Sequence, residues 1–206
     1  FFKGIIMNTQ KHHPNAEKHP FEPVFNEKSR VLILGSFPSK ISKEAGFYYG
    51  NGKGNNRFWG ILSRLFDEPD LKKKSKQEKI AFLLDKKIAL WDIWAICYKK
   101  DLESIDDDSI IADNDENEPD KSKRSQKVDL TKLLETAQIK KIYTIIGDNS
   151  FEKWGIEKWL WSYAKYFPHC KISTDLIISL CSTSGATRRS YVDLIEKDGY
   201  KQIAEF

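Results

Sequence analysis

Two polar stretches hold the residues that could do chemistry, and each follows a short apolar run. The first is Gly35-Ser36-Phe37-Pro38-Ser39, which continues through Gly46-Phe47-Tyr48-Tyr49-Gly50 to Asn55-Asn56-Arg57-Phe58-Trp59. The second is Ser182-Thr183-Ser184-Gly185-Ala186-Thr187-Arg188-Arg189. Together they offer backbone N–H groups, small hydroxyls, aromatic faces, carboxamides and guanidinium groups, with no carboxylate pair and no His. That set suits a pocket for a flat polar ring, in which an aromatic side chain covers one face and amides read the edge. Arginines and a hydroxyl-rich turn suit a phosphate backbone.

Several other chemistries fail on spacing. GNGKG at 50–54 approaches a phosphate loop, but Gly54 follows Lys53 where Ser or Thr is needed. No GxGxxG follows Gly35, no GxSxG surrounds Ser184, and His169 stands outside any triad context. Ser184 is therefore read as a turn hydroxyl. No HExxH or metal cluster occurs, so neither a metal nor another cofactor is expected. The three cysteines, Cys97, Cys170 and Cys181, are far apart and form no CxxC pair. They support no disulfide framework, and the simplest setting is a reducing one: cytoplasm for a bacterial protein, the nucleus for a eukaryotic one.

The elements that must position these stretches follow from periodicity. Arg30 to Gly35, Ile88 to Trp91, Lys141 to Gly147 and Asp175 to Leu180 are short apolar runs, as in strands buried on both faces. Between them, Asn56 to Phe66, Lys76 to Leu84 and Leu130 to Ala137 have helical spacing, with Asn56 as a cap. Ser150 to Tyr166 reads as a helix or two, and Tyr191 to Phe206 as a closing helix. The alternation predicts an α/β fold, a three-layer α/β/α sandwich around a central, mostly parallel four-stranded sheet. Ligands of such sheets sit beyond the carboxyl ends of the strands, where both polar stretches fall.

The 206 residues, 40% hydrophobic and 13% aromatic, suit one domain over 30–206 behind an N-terminal arm, 1–29. Residues 1–6 precede the only methionine, Met7, and are set apart as upstream of the native start. No run of 18 apolar residues occurs, so no membrane span is expected. A monomer is expected. Residues 101–120 carry ten acidic residues and no Lys or Arg, leaving 34 basic against 20 acidic residues elsewhere, a net +14. A basic body suits a phosphate partner. The acidic strip and the basic run after it, 101–127, read as an inserted loop or disorder.

RVLILGSFPS, GFYYG, NRFW and STSGATRR resemble the uracil-DNA glycosylase superfamily, closest to its hypoxanthine-DNA (deoxyinosine) glycosylase branch, with the mismatch-specific uracil glycosylases next. The resemblance spans about residues 30–195. It implies a DNA glycosylase that flips a deaminated base, hypoxanthine or uracil, out of double-stranded DNA and hydrolyses its glycosidic bond. Gly35, Ser36, Phe37, Pro38 and Ser39 would line the base pocket. Phe37 stands where the mismatch-specific relatives have a water-positioning Asn. Asn56 matches the catalytic Asn of the hypoxanthine branch, and Tyr49 the aromatic that stacks on the base. Ser182 to Arg188 would press into the minor groove, with Arg188 and Arg189 on phosphates. The loop Asn51 to Asn55 is longer than the family's, which leaves Asn51 or Asn55 as alternatives to Asn56. Cys181, Gly185 and Thr187 replace Pro, Pro and Asn of the usual second motif. The alternative is a non-catalytic nucleic-acid-binding or nucleotide-sensing module on the same fold.

Overall fold

The computed structural model describes residues 16–100, 109–167, 176–183, 190–197 and 199–205. Its strands are β1 (Ala16–Lys18), β2 (Val31–Gly35), β3 (Ile88–Asp92), β4 (Trp94–Tyr98), β5 (Gln126–Lys127), β6 (Lys141–Thr144) and β7 (Ile177–Ser179). Its α-helices are α1 (Lys40–Ala45), α2 (Phe58–Leu65), α3 (Lys76–Asp85), α4 (Thr131–Thr136), α5 (Asp148–Lys153) and α6 (Ile156–Trp161).

The four apolar runs form one parallel sheet in the order β3-β2-β6-β7. Alternation along β2 explains the layering. Leu32 and Leu34 face a core with Leu133, Trp154, Ile156 and Leu160, from α4, α6 and the α5–α6 junction. Val31 and Ile33 face the other core, with Phe58, Trp59 and Leu83 from α2 and α3. All five residues of β2 are buried. The expected three-layer α/β/α architecture is thus the one observed. Because β3 and β6 flank β2 on opposite sides, the strand order reverses at β2, which puts the crevice favoured by ligands at its carboxyl end.

Capping explains where helices start. Ser75 and Glu78 close a capping box on α3: the Ser75 hydroxyl accepts from Glu78 N, and the Glu78 carboxylate accepts from Ser75 N at 2.8 Å. Ser39 caps α1 by accepting from Ser42 N.

Other segments differ from the sequence expectation. A second, three-stranded antiparallel sheet, β1-β4-β5, joins the arm to the domain. Part of the expected 101–127 loop packs as core. Ile110, Ile111 and Ala112 are buried, Ile111 N donates to Tyr98 O at 2.8 Å, and Ser125 N donates to Ile111 O at 2.8 Å. Three apolar residues bought that packing amid acids that dominate the composition. Two of those acids pair with lysines, Asp113 with Lys127 and Asp115 with Lys100 at 3.9 Å. The expected closing helix is also broken. Asp193–Lys197 and Tyr200–Glu205 are separate wide and tight turns, and Gly199 between them has φ +80°. The Trp-rich segment is two short helices and a 3-10 turn, Ala164–Tyr166, with the left-handed Gly155 parting α5 from α6.

Candidate active site

Gly35 ends β2 at the crevice and hands the chain to the first polar stretch. The stretch is pinned from the β3–β4 junction and the start of β4: Ile93 N donates to Gly35 O at 2.9 Å and Trp94 N to Ser36 O at 3.2 Å. Phe37 is half-buried, Pro38 is buried, and Ser39 is exposed as the α1 cap. Gly35 cannot be another residue without displacement. A Cβ there would collide with the Asp92 Oδ1 and lie 2.8 Å from the Tyr49 hydroxyl. The absence of Cβ lets two side chains close over the strand end.

The glycine-rich segment after Gly46 is a 3-10 turn, Tyr48–Gly52, with consecutive left-handed residues: Tyr49 (φ 52°), Gly50 (φ 68°) and Asn51 (φ 48°). Non-glycine residues rarely hold that conformation, so the surroundings must impose it. Two fixings are visible. Ser42 of α1 accepts from Gly50 N at 2.9 Å. The fully buried Lys79 of α3 donates to Asn51 O at 3.1 Å, to Lys72 O at 3.3 Å and to Lys74 O. Burial lowers the Lys79 ammonium pKa from its ordinary value, so three carbonyl acceptors offset a real desolvation cost. The turn aims Tyr49 inward, where its ring stacks on Phe58 with centroids 3.9 Å apart and planes at 22°. Phe58 thus covers one face of the Tyr49 ring.

Asn56 sits just before α2. The expected Asn56 cap is displaced: Arg57 is the N-cap of α2, and the Asn56 Oδ1, one residue outside it, accepts from Phe58 N at 2.9 Å and from the Thr183 hydroxyl at 3.1 Å. Thr183 is buried, and its backbone carbonyl accepts from Arg57 N at 3.0 Å. Two bonds therefore clasp the head of α2 to the start of the second polar stretch. Gly35, Tyr49, Phe58, Asn56 and Thr183 form a continuous run of contacts along one rim of the sheet. Asn55 is exposed, and the side-chain Oδ1 of Asn51 is buried with no hydrogen-bond partner among the described residues. Ser182 is half-buried beside Thr183. Ser184, Gly185, Ala186, Thr187, Arg188 and Arg189, expected to bind DNA, lie outside the described residues.

The two polar stretches hold no His and no carboxylate pair, but the structure brings a His and a carboxylate to this rim from elsewhere in the chain. His19 Nε2 meets Asp92 Oδ2 at 3.0 Å, with both side chains nearly buried. The signal was invisible in the sequence, because the partners are 73 residues apart and one comes from a polar arm. Asp92 also acts on Tyr48, whose phenol pKa is pushed far above its ordinary value by burial first, then by the Asp92 and Glu22 charges. A separate cleft of about 320 Å3, lined by Phe21, Phe25, Phe47, Lys76 and Ile80 among others, contains none of the expected site residues. Among the described residues no group of three His, Cys, Asp or Glu could hold a metal ion, and no helix is long and apolar enough to cross a membrane.

Comparison with known proteins agrees with the motifs. A Hypoxanthine DNA glycosylase of Methanosarcina barkeri is 37% identical over 78 residues, 38% of this chain and 48% of that protein. A Hypoxanthine DNA glycosylase of Methanosarcina acetivorans is 33% identical over 101 residues, 49% of this chain and 60% of that protein. The chain resembles the uracil-DNA glycosylase superfamily, on its hypoxanthine side. It spans about half to three fifths of the length of these two relatives. The fold agrees too. A solution NMR structure of "a putative Uracil DNA glycosylase" from Methanosarcina acetivorans superposes with a TM-score of 0.58 at 23% identity, covering 91% of this chain and 94% of that one. No family model matches the sequence.

Proposed function

We propose that the chain is a monofunctional DNA glycosylase that everts a deaminated base, hypoxanthine or uracil, from double-stranded DNA and hydrolyses its N-glycosidic bond. The observation that carries this reading is the Asn56 carboxamide. It is held between the α2 N-terminus and Thr183, on the rim that also bears Gly35 and Tyr49. Relatives named hypoxanthine DNA glycosylase support it.

The chemistry follows from charge. Breaking the bond leaves positive charge on the sugar and negative charge on the departing base. Backbone N–H groups beyond the strand end, at Phe37 and Ser39, with the N–H donors of Asn56, stabilise that anion as an oxyanion hole does. Pro38 has no N–H to offer. A neutral carboxamide has no useful pKa near 7, so Asn56 orients water or base and does not abstract a proton. The rate then rests on leaving-group stabilisation and positioning. Eversion costs a few kcal/mol and least at a mismatch, which is what deamination creates. Tyr49 offers its ring for stacking, and Ser182 to Arg189 contact the groove and its phosphates, so binding weakens with salt.

The test is base release. Duplexes containing deoxyinosine, deoxyuridine or deoxyxanthosine are incubated with the protein and then treated with alkali to cut abasic strands. Cleavage of a deaminated duplex, and none of its undamaged counterpart, is expected. Salt-dependent binding with no cleavage of any duplex would overturn the enzyme reading in favour of a non-catalytic binding module.

A further inference from the structure

We propose that His19 and Asp92 form a positioning dyad, through which the N-terminal arm becomes a working part of the base pocket; the inference rests on the glycosylase reading of that pocket. Three observations converge. First, Asp92 ends β3 directly beside Gly35, its partner in the sheet register, and its Oδ1 closes over the Gly35 α-carbon from the same side as the Tyr49 hydroxyl. The orientation of this carboxylate therefore sets the room left to Tyr49. Second, the other carboxylate oxygen is fixed by His19 Nε2 at 3.0 Å, while His19 Nδ1 sits 2.8 Å from Phe21 O, so both ring nitrogens are engaged and the imidazole cannot swivel. Third, the His19 ring touches the pocket's own aromatics. It lies edge-on to Phe37 with centroids 5.7 Å apart, and 5.9 Å from Tyr48, the neighbour of Tyr49.

The arm delivers His19 rigidly. β1 pairs with β4, and His19 N donates to Ala95 O at 2.8 Å. Beyond it, Glu22 O accepts from the Tyr48 hydroxyl at 3.0 Å. A buried carboxylate is costly unless paired, and an apolar pair of the same volume would give equal or better stability. What the polar pair adds is a fixed direction for Asp92, and that direction bears on Gly35 and Tyr49. Neither residue need touch the base.

Three variants of the full chain separate this role from packing: H19F, H19Q and D92N. Phenylalanine fills the aromatic cage but donates nothing to Asp92. Glutamine fits the cage worse but keeps an amide donor. With a deaminated duplex, H19F and D92N should each lower kcat at least about tenfold while KM stays within about twofold, the pattern of a displaced pocket on an intact DNA surface. H19Q should retain more activity than H19F. A packing role predicts the reverse order, and that order, or wild-type kcat in H19F, would overturn the proposal. If D92N does not fold, the H19F and H19Q pair decides alone. If the wild type releases no base from any duplex, the glycosylase reading fails separately, and hydrogen exchange of residues 35–37 and 47–52 decides the dyad. Faster exchange in H19F than in H19Q is expected there; equal exchange would overturn it.

Discussion

Replacing Asn56 separates its structural work from its chemistry, because the two use different atoms of one side chain. The oxygen accepts from Phe58 N and from the Thr183 hydroxyl. Asn56→Ala removes both acceptors. Losing the acceptor of the first helical N–H costs about 1 kcal/mol, and leaving a buried hydroxyl without its acceptor costs about 1–3 kcal/mol, together roughly 2–4 kcal/mol. For a chain of this size that lowers Tm by roughly 4–16 °C. Asn56→Asp keeps both acceptors and adds a negative charge at a helix N-terminus, where it is tolerated. Its stability should stay within about 1 kcal/mol of wild type. Its chemistry should not survive. The N–H donors are gone, and a carboxylate faces the charge of the departing base, so single-turnover base release should fall by about 10²–10³. Thermal unfolding followed by circular dichroism and a single-turnover assay on a deoxyinosine duplex read the two effects apart. Wild-type release by Asn56→Asp would refute the role given to Asn56 and move it to Asn51 or Asn55. An unchanged Tm in Asn56→Ala would refute the clasp itself.

Other perturbations follow from the same geometry. Gly52→Ala places a Cβ into the Lys72 carbonyl at φ +89°, and backbone cannot yield as a side chain does, so a loss of about 1–3 kcal/mol is expected in urea unfolding. Lys79→Met leaves the Asn51, Lys72 and Lys74 carbonyls without their ammonium donor. It should destabilise the chain by at least about 1–3 kcal/mol and loosen the Tyr49 turn, seen as faster hydrogen exchange there. Alkaline stability should fall from about pH 10 upwards. Burial pushes the Tyr48 phenol far up and, with the Glu205 charge, the Tyr143 phenol to about 12, so the unfolded chain loses these protons while the folded chain keeps them. Each tyrosine then removes roughly 1.4 kcal/mol per pH unit in that window. Tyr48→Phe should flatten the slope, measured by denaturant midpoints between pH 9 and 12.

The legible parts of the fold were those in which one local pattern decides the outcome. VLILG, IALWD and KIYT are almost wholly buried, so their apolar runs announce a parallel sheet without reference to anything distant, and the edge strand IIS, only partly buried, completes it. KQEKIAFLLD carries its own capping box. KISKEA has six residues, one of them buried, and no stripe to detect. Ile110, Ile111 and Ala112 were hidden among acids, and the sheet they pack beside pairs an arm residue with β4 across the chain. At the site, the juxtaposition of Gly35 with Tyr49 followed from motifs, whereas the His19–Asp92 contact depends on where tertiary packing folds the arm. Phe58, part of the helical spacing from Asn56 to Phe66, is core and also the floor beneath Tyr49.

The clasp between Asn56 and Thr183 spans 127 residues. Contacts of such long separation form late, because the intervening chain must first be ordered. On the ribosome, the Tyr49 turn and the head of α2 emerge long before position 183 is made, and a chain stopped short of it carries the carboxamide without its second partner. The clasp is therefore complete only in a chain that has been made through position 183, however early its first half emerges.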